Sequence, residues 1–436
     1  MINIASIPLL EIASSLRSGS FRLNDFLLQL EHIFNKFEPE VRAFVKEDDR
    51  FSRLRHESVE LEARYPNPES RPPLYGVPIG VKDIIHVAGM PTSAGTTEPS
   101  NTVQSRDAEI VHLLREAGVL ILGKTITTEY VKFNFTPGPT RNPHNLSHTP
   151  GGSSSGSAAA VAAGYCPLAL GTQTLGSIIR PASYCGVVGY KPSYNRISCR
   201  GVISLSPSLD HVGLFATNIE GVTLASRILC QDKEMNLNRR SKPHFGIPEG
   251  PYLAHTTTEG LSHFRETCDR LKAAGFVVKS VNTMPNFEAI YNDAQLLMAA
   301  EAAQIYKEKM ERENAHPSDL VKYGLKISQY QCAQVQANQH EFRKEMTRLM
   351  EEHDLDLWIS PSAPGPAPRG LNDTGNAVMN LPWSYAGLPT LNIPSGVSRQ
   401  GLPLGLQVTA SWKADEDLLT WGIELEKELC QSGRTP

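Results

Sequence analysis

The chain has 436 residues, of which 40% are hydrophobic and 20% charged, with a formal net charge of −4. That composition predicts a folded globular protein. The small acidic balance, with Lys and Arg scattered, argues against a broad nucleic-acid footprint. No window approaches the about 18 apolar residues of a membrane span, and no secretory leader is read at the start. The seven cysteines form no CxxC pair. A reduced, cytoplasmic setting without a metal cluster is therefore expected.

Taken in order, residues 5–37 read as helical. Phe26, Leu27, Leu30, Ile33, Phe34 and Phe37 recur at helical spacing between polar residues. Val41–Val45 reads as a short strand, residues 49–64 as a second helix, and the proline-rich stretch from Pro66 to Pro73 as a break. Residues 75–85, Tyr-Gly-Val-Pro-Ile-Gly-Val-Lys-Asp-Ile-Ile, form a strand-like apolar segment around one lysine, Lys82. A helix over 108–117, closed by Gly118, precedes an apolar strand over 119–123. That step predicts an α/β protein with a sheet buried on both faces. Residues 158–164 read as a small-residue helix, 168–171 as a buried strand and 219–229 as a helix. Another α/β step follows between 244 and 278. Residues 287–353 read as a helical covering region; 357–361, 388–394 and 404–409 as strands; and 416–429 as a closing helix. The parts divide into N-terminal helices (1–65), a core carrying the chemistry (74–220), the covering region (287–353) and a return to the core (355–430). No linker long enough to separate two domains appears.

The most unusual stretch runs from Gly151 to Gly189. It holds eight Gly, seven Ala and six Ser, and its one charged side chain is Arg180. Such a segment suits a backbone that approaches something closely and presents hydroxyls and N–H groups to it. Ser177 follows a strand and a polar turn. A serine hydroxyl needs a base, and no histidine lies in this stretch. A G-x-S-x-G elbow would require glycine where Ile179 stands. Lys82 is the other candidate base, because burial in an apolar strand disfavours its ammonium form. A lysine next to an aspartate also fits a structural ion pair. A nucleotide-binding loop at 151–157 is a further reading, but it lacks both the Gly-Lys-Ser/Thr ending and the G-x-G-x-x-G spacing.

Three segments in order resemble the catalytic segments of the amidase signature family: Gly76-Val-Pro-Ile-Gly-Val-Lys82-Asp83, Gly151-Gly-Ser153-Ser-Ser-Gly-Ser-Ala158 and Gly171-Thr-Gln-Thr-Leu-Gly-Ser177. Ser153 and Ser177 lie 24 positions apart, as in that family. Segments at 140–143, 185–192, 208–213 and 401–407 match as well, and the resemblance runs from about residue 5 to 430, weakest through 230–355. It implies a single α/β/α domain, a mixed twisted sheet covered by helices on both faces. It also implies a Ser–Ser–Lys triad: Ser177 the nucleophile, Ser153 a bridge with a cis peptide, Lys82 the base. Backbone N–H groups of Thr174, Leu175, Gly176 and Ser177 would hold the oxyanion, with Ser154 and Thr172 orienting the triad. The reaction implied is hydrolysis of a small-molecule amide through an acyl-enzyme, without cofactor or metal. Carbamates and ureas pass through the same chemistry.

Gln173 stands where the family has Asp, Leu175 where it has Gly or Ala, and Arg180 one place beyond the usual Arg. An amide hydrogen bond in place of an ion pair behind the oxyanion loop is the expectation. Tyr130, Arg180, and Trp383 with Tyr385 are candidate substrate contacts. For Arg180 a structural role, and for the two aromatics core packing, are the competing readings. A possible homodimer, or a small partner subunit in an amidotransferase-like or urea-type complex, is the alternative to a free-standing enzyme.

Overall fold

The computed structural model describes residues 7–96, 102–130, 136–230, 240–313 and 318–431. One mixed sheet of ten strands organises it, in the order β2-β1-β3-β5-β4-β9-β10-β8-β6-β7. The strands are β1 (Pro78–Lys82), β2 (Leu120–Thr125), β3 (Leu168–Gln173), β4 (Val188–Lys191), β5 (His211–Ala216), β6 (His244–Glu249), β7 (Val277–Asn282), β8 (Leu357–Pro361), β9 (Thr390–Val397) and β10 (Pro403–Ala410). Helices cover both faces. Strands β1 to β5 and β8 are buried along their whole length, and their apolar runs lack the alternation of a half-solvated strand.

The expected helices form at α1 (Leu9–Ser18), α2 (Leu23–Val41), α3 (Arg50–Arg64), α4 (Glu109–Glu116), α5 (Ser155–Ala162), α7 (Ile219–Leu229), α8 (Thr258–Ala273) and α13 (Asp415–Gln431). Gly118 takes a left-handed φ of 93° just beyond α4, the conformation that suits glycine after a helix. The covering region is α9 (Phe287–Glu313), α10 (Asp319–Gly324) and α11 (Gln329–Glu352), with 314–317 outside the described residues.

One local expectation changes. Residues 41–45 are not a strand: α2 runs through Val41, and only an isolated bridge joins Phe44 to Thr125. Residues 184–190 are split between helix α6 (Ile179–Cys185) and β4, turning at Gly186 with φ 65°. A continuous apolar run does not distinguish a buried helix turn from a strand. β5 is a full central strand, pairing antiparallel with both β3 and β4.

The sheet positions the site through its parallel half. β1 pairs in parallel with β2 and β3, with Val81 level with Leu170. The carboxyl ends of β1 and β3 therefore open at the same edge, bringing Lys82 beside Thr172 and the turn that follows Gln173. Open α/β sheets commonly place their ligand sites at such an edge.

Candidate active site

Lys82 closes β1 and is fully buried. Its Nζ lies 2.7 Å from Ser153 Oγ and 2.7 Å from Thr172 Oγ1. The neighbouring Asp83 pairs at 2.9 Å with Lys124 on β2, which leaves Lys82 without an ion pair among the described residues. Burial drives its pKa well below the usual lysine value, while the Asp210 carboxylate opposes that shift. The structural ion-pair alternative thus belongs to Lys124.

Ser153 sits at the head of α5 and follows a cis peptide bond, Gly152–Ser153. Its hydroxyl meets Lys82 on one side and the Tyr130 hydroxyl, at 3.0 Å, on the other. Ser154 accepts the Thr172 N–H at 3.2 Å and donates to the Thr172 carbonyl at 3.1 Å, fixing the residue whose hydroxyl faces Lys82. Ser157 bonds into the sheet at Leu170 and Thr125, a packing role. α5 lies close against the chain: a Cβ on Gly156 would collide with the backbone of Ala43 and Ile126.

The turn Thr174–Ile178 joins β3 to α6. Ser177 is half-buried, and its hydroxyl makes no hydrogen bond to another described residue. The N–H groups of Leu175, Gly176 and Ser177 are likewise unbonded within the described residues. Two buried devices hold the turn from behind. The Gln173 side-chain oxygen accepts the N–H groups of Ile178 at 2.8 Å and Ile179 at 3.0 Å, and its Nε2 donates to Ser384 Oγ at 2.8 Å. Ser384 in turn donates to the Leu175 carbonyl at 2.7 Å. Thr174 Oγ1 donates to Asp210 at 2.6 Å, and the same carboxylate accepts Ser204 Oγ and the N–H groups of Leu205 and Ser206. Burial raises the Asp210 pKa, and these four donors pull it back. Asp210 and Ser384 carry no role in the sequence reading. The segment 208–213 that contains Asp210 was the available signal for the first.

The substrate-contact expectations separate. Tyr130 is buried and reaches the centre of the site, on Ser153. Arg180 is buried and donates through Nη2 to the Gly152 carbonyl at 2.6 Å and to Thr374 Oγ1 at 3.3 Å. Trp383 lies in the core instead: it packs on Trp358 and Tyr252 and donates Nε1–H to the Tyr252 hydroxyl at 3.0 Å. Tyr385 stacks on Phe342 and donates to the Val335 carbonyl. A short helix, Leu381–Tyr385 (α12), turns both rings inward. A cleft of about 320 Å³ adjoins the turn, lined in part by Tyr291, Gln295, Asp373, Asn376 and Ala377. A side chain on Gly176 would strike Ala377, so glycine is what lets the turn reach this wall.

The fold and the family match make the chain an enzyme of the class that works on carbon–nitrogen bonds. The family model described as Amidase matches residues 32–419, and the chain belongs to that family. It is 31% identical over 388 residues to a glutamyl-tRNA(Gln) amidotransferase subunit from Exiguobacterium sibiricum, covering 77% of this chain and 80% of that protein. A crystal structure of an amidase superposes with a TM-score of 0.85 at 30% identity, over 97% of this chain and 99% of that one. The peptide amidase of Stenotrophomonas maltophilia shares the fold, with a TM-score of 0.83 at 24% identity over 100% of this chain and 99% of that one. No helix among the described residues is long and apolar enough to cross a membrane.

Proposed function

We propose that the chain acts as one catalytic unit hydrolysing a small-molecule amide, with Ser177 as nucleophile, Ser153 as proton bridge and Lys82 as base. The observation that carries this reading is the fully buried Lys82 Nζ at 2.7 Å from Ser153 Oγ, with no carboxylate partner among the described residues. Burial favours the neutral amine. A neutral amine donates one N–H to Thr172 and keeps its lone pair for the Ser153 proton. Ser153 then accepts the Ser177 proton as Ser177 Oγ bonds to the amide carbonyl carbon. The carbonyl electrons move to oxygen, to which the N–H groups of the Thr174–Ser177 turn donate hydrogen bonds. One such donor is typically worth about 3 kcal/mol of barrier. The proton returns from Lys82 through Ser153 to the leaving nitrogen, and water repeats the sequence on the acyl-enzyme.

Ser177→Ala should abolish turnover of a panel of aliphatic, aromatic, carbamate and urea-type amides while leaving the fold intact. Undiminished hydrolysis by that variant would sink the mechanism. Lys82→Ala should lose orders of magnitude, with partial recovery at high pH.

The sequence relatives favour a second reading, in which the chain is the amidase subunit of a larger assembly, since relatives such as that of E. sibiricum are named as amidotransferase subunits. Size-exclusion chromatography of the purified chain, with amidase activity assayed across the peak, distinguishes the two. A monomer or homodimer active alone supports the free-standing enzyme.

A further inference from the structure

We propose that Tyr130 is a positioning residue of the proton relay rather than a substrate contact: its hydroxyl fixes the direction in which Ser153 passes its proton. The inference rests on the Ser177–Ser153–Lys82 relay proposed above. Tyr130 follows β2, where its backbone N–H is held by the Ala94 carbonyl at 2.9 Å. Its side chain is buried, its hydroxyl lies 3.0 Å from Ser153 Oγ, and its ring faces Lys82 Nζ at 5.4 Å from the centroid.

A serine hydroxyl has one proton and two lone pairs. In a working relay Ser153 must give its proton to Lys82 and accept one from Ser177. That leaves one lone pair, and Tyr130 stands where it can fill it. A donor there prevents Ser153 from turning its proton away from Lys82. Burial pushes the Tyr130 phenol up to about 12, so it remains a donor across neutral pH. As the Ser153 proton moves to Nζ and the Ser177 proton follows, negative charge passes over Ser153 Oγ. The hydrogen bond from Tyr130 to Ser153 strengthens at that moment, and the phenol loses no proton. Because it is made to a relay atom, the bond acts on turnover and not on substrate affinity.

Tyr130→Phe keeps the ring and removes only the hydroxyl. The expected result is a kcat lower by about tenfold to a hundredfold, the range for one hydrogen bond to a charged atom, with KM within about twofold. Labelling of Ser177 by a fluorophosphonate probe should slow by a similar factor. A fold defect would instead shrink the fraction of protein labelled and leave the rate constant of the folded remainder unchanged, and that outcome overturns the proposal. So does a raised KM with wild-type kcat, the mark of a substrate contact. Ser177→Ala is assayed alongside. If it is active, the relay itself is wrong. If it is inactive and Tyr130→Phe turns over normally, the Tyr130 role alone is wrong.

Discussion

Replacing Gln173 by Leu tests how the turn proposed to hold the oxyanion is itself held. The side chain is buried, and leucine fills a similar volume. The substitution orphans two N–H groups, those of Ile178 and Ile179, which the Gln173 oxygen now accepts at 2.8 and 3.0 Å. Each buried unsatisfied donor costs about 1–3 kcal/mol. Ser384 loses one incoming bond but keeps the one it donates to the Leu175 carbonyl. The loss should therefore be about 2–6 kcal/mol of unfolding free energy. Urea titration followed by tryptophan fluorescence reads it as a lower midpoint at unchanged slope. Gln173→Glu keeps both acceptor positions and should fall between wild type and Gln173→Leu. A leucine variant within about 0.5 kcal/mol of wild type, the scatter of an ordinary surface change, would refute the claim that this amide anchors the turn.

Further outcomes follow from the geometry. In the proposed relay the neutral amine is the active form, so the kcat/KM profile should rise with pH through the depressed pKa of Lys82. Asp210 stabilises the ammonium, so Asp210→Asn should move that acid limb to lower pH, and should also lower kcat by loosening Thr174. An unmoved limb would remove Asp210 from the electrostatics of the base. The same shift fixes a sign for stability. The unfolded chain protonates Lys82 below its ordinary pKa and the folded chain resists doing so, so this residue's contribution should become more unfavourable as pH falls from that value to the folded one, then level off. Gly156→Ala should cost more than about 3 kcal/mol, at the upper end of single substitutions. Its Cβ would meet backbone of Ala43 and Ile126, which cannot rotate away. Normal thermal stability would contradict that packing.

Much of this arrangement is legible before any coordinates. Lys82 is conspicuous because a cation interrupts an apolar strand, and the Gly/Ser stretch because charge is missing from it. Helix periodicity locates α7 to the residue and most others to within a few positions. Pair partners are less visible. Nothing local says that Asp83 turns to Lys124 rather than to Lys82, because that depends on which faces of β1 and β2 meet. Ser384 lies 211 positions from Gln173, and no spacing rule connects them. Trp383 and Tyr385 read equally as pocket wall or core, since aromatic burial has the same composition in both. The short helix Leu381–Tyr385 decides it by turning them inward.

Arg180 is where the local departure and the site meet. The guanidinium is buried, has no ion pair with a carboxylate among the described residues, and is held by a carbonyl and a hydroxyl. Burial lowers its pKa, partly offset by Tyr184 and Asp373. Burying such a cation is costly, and an apolar replacement of similar length can be neutral for stability. Its bond to the Gly152 carbonyl, however, is made to the peptide that joins Gly152 to Ser153. Arg180→Met should therefore leave the urea midpoint close to wild type while lowering kcat by about tenfold, the worth of about 1.4 kcal/mol in positioning. If Arg180 instead received a substrate carboxylate, the penalty would fall on KM and only for anionic substrates. Comparing an anionic amide with its neutral methyl ester separates the two. An equal loss of kcat on both supports anchoring of the Ser153 loop, and a KM loss confined to the anion overturns it.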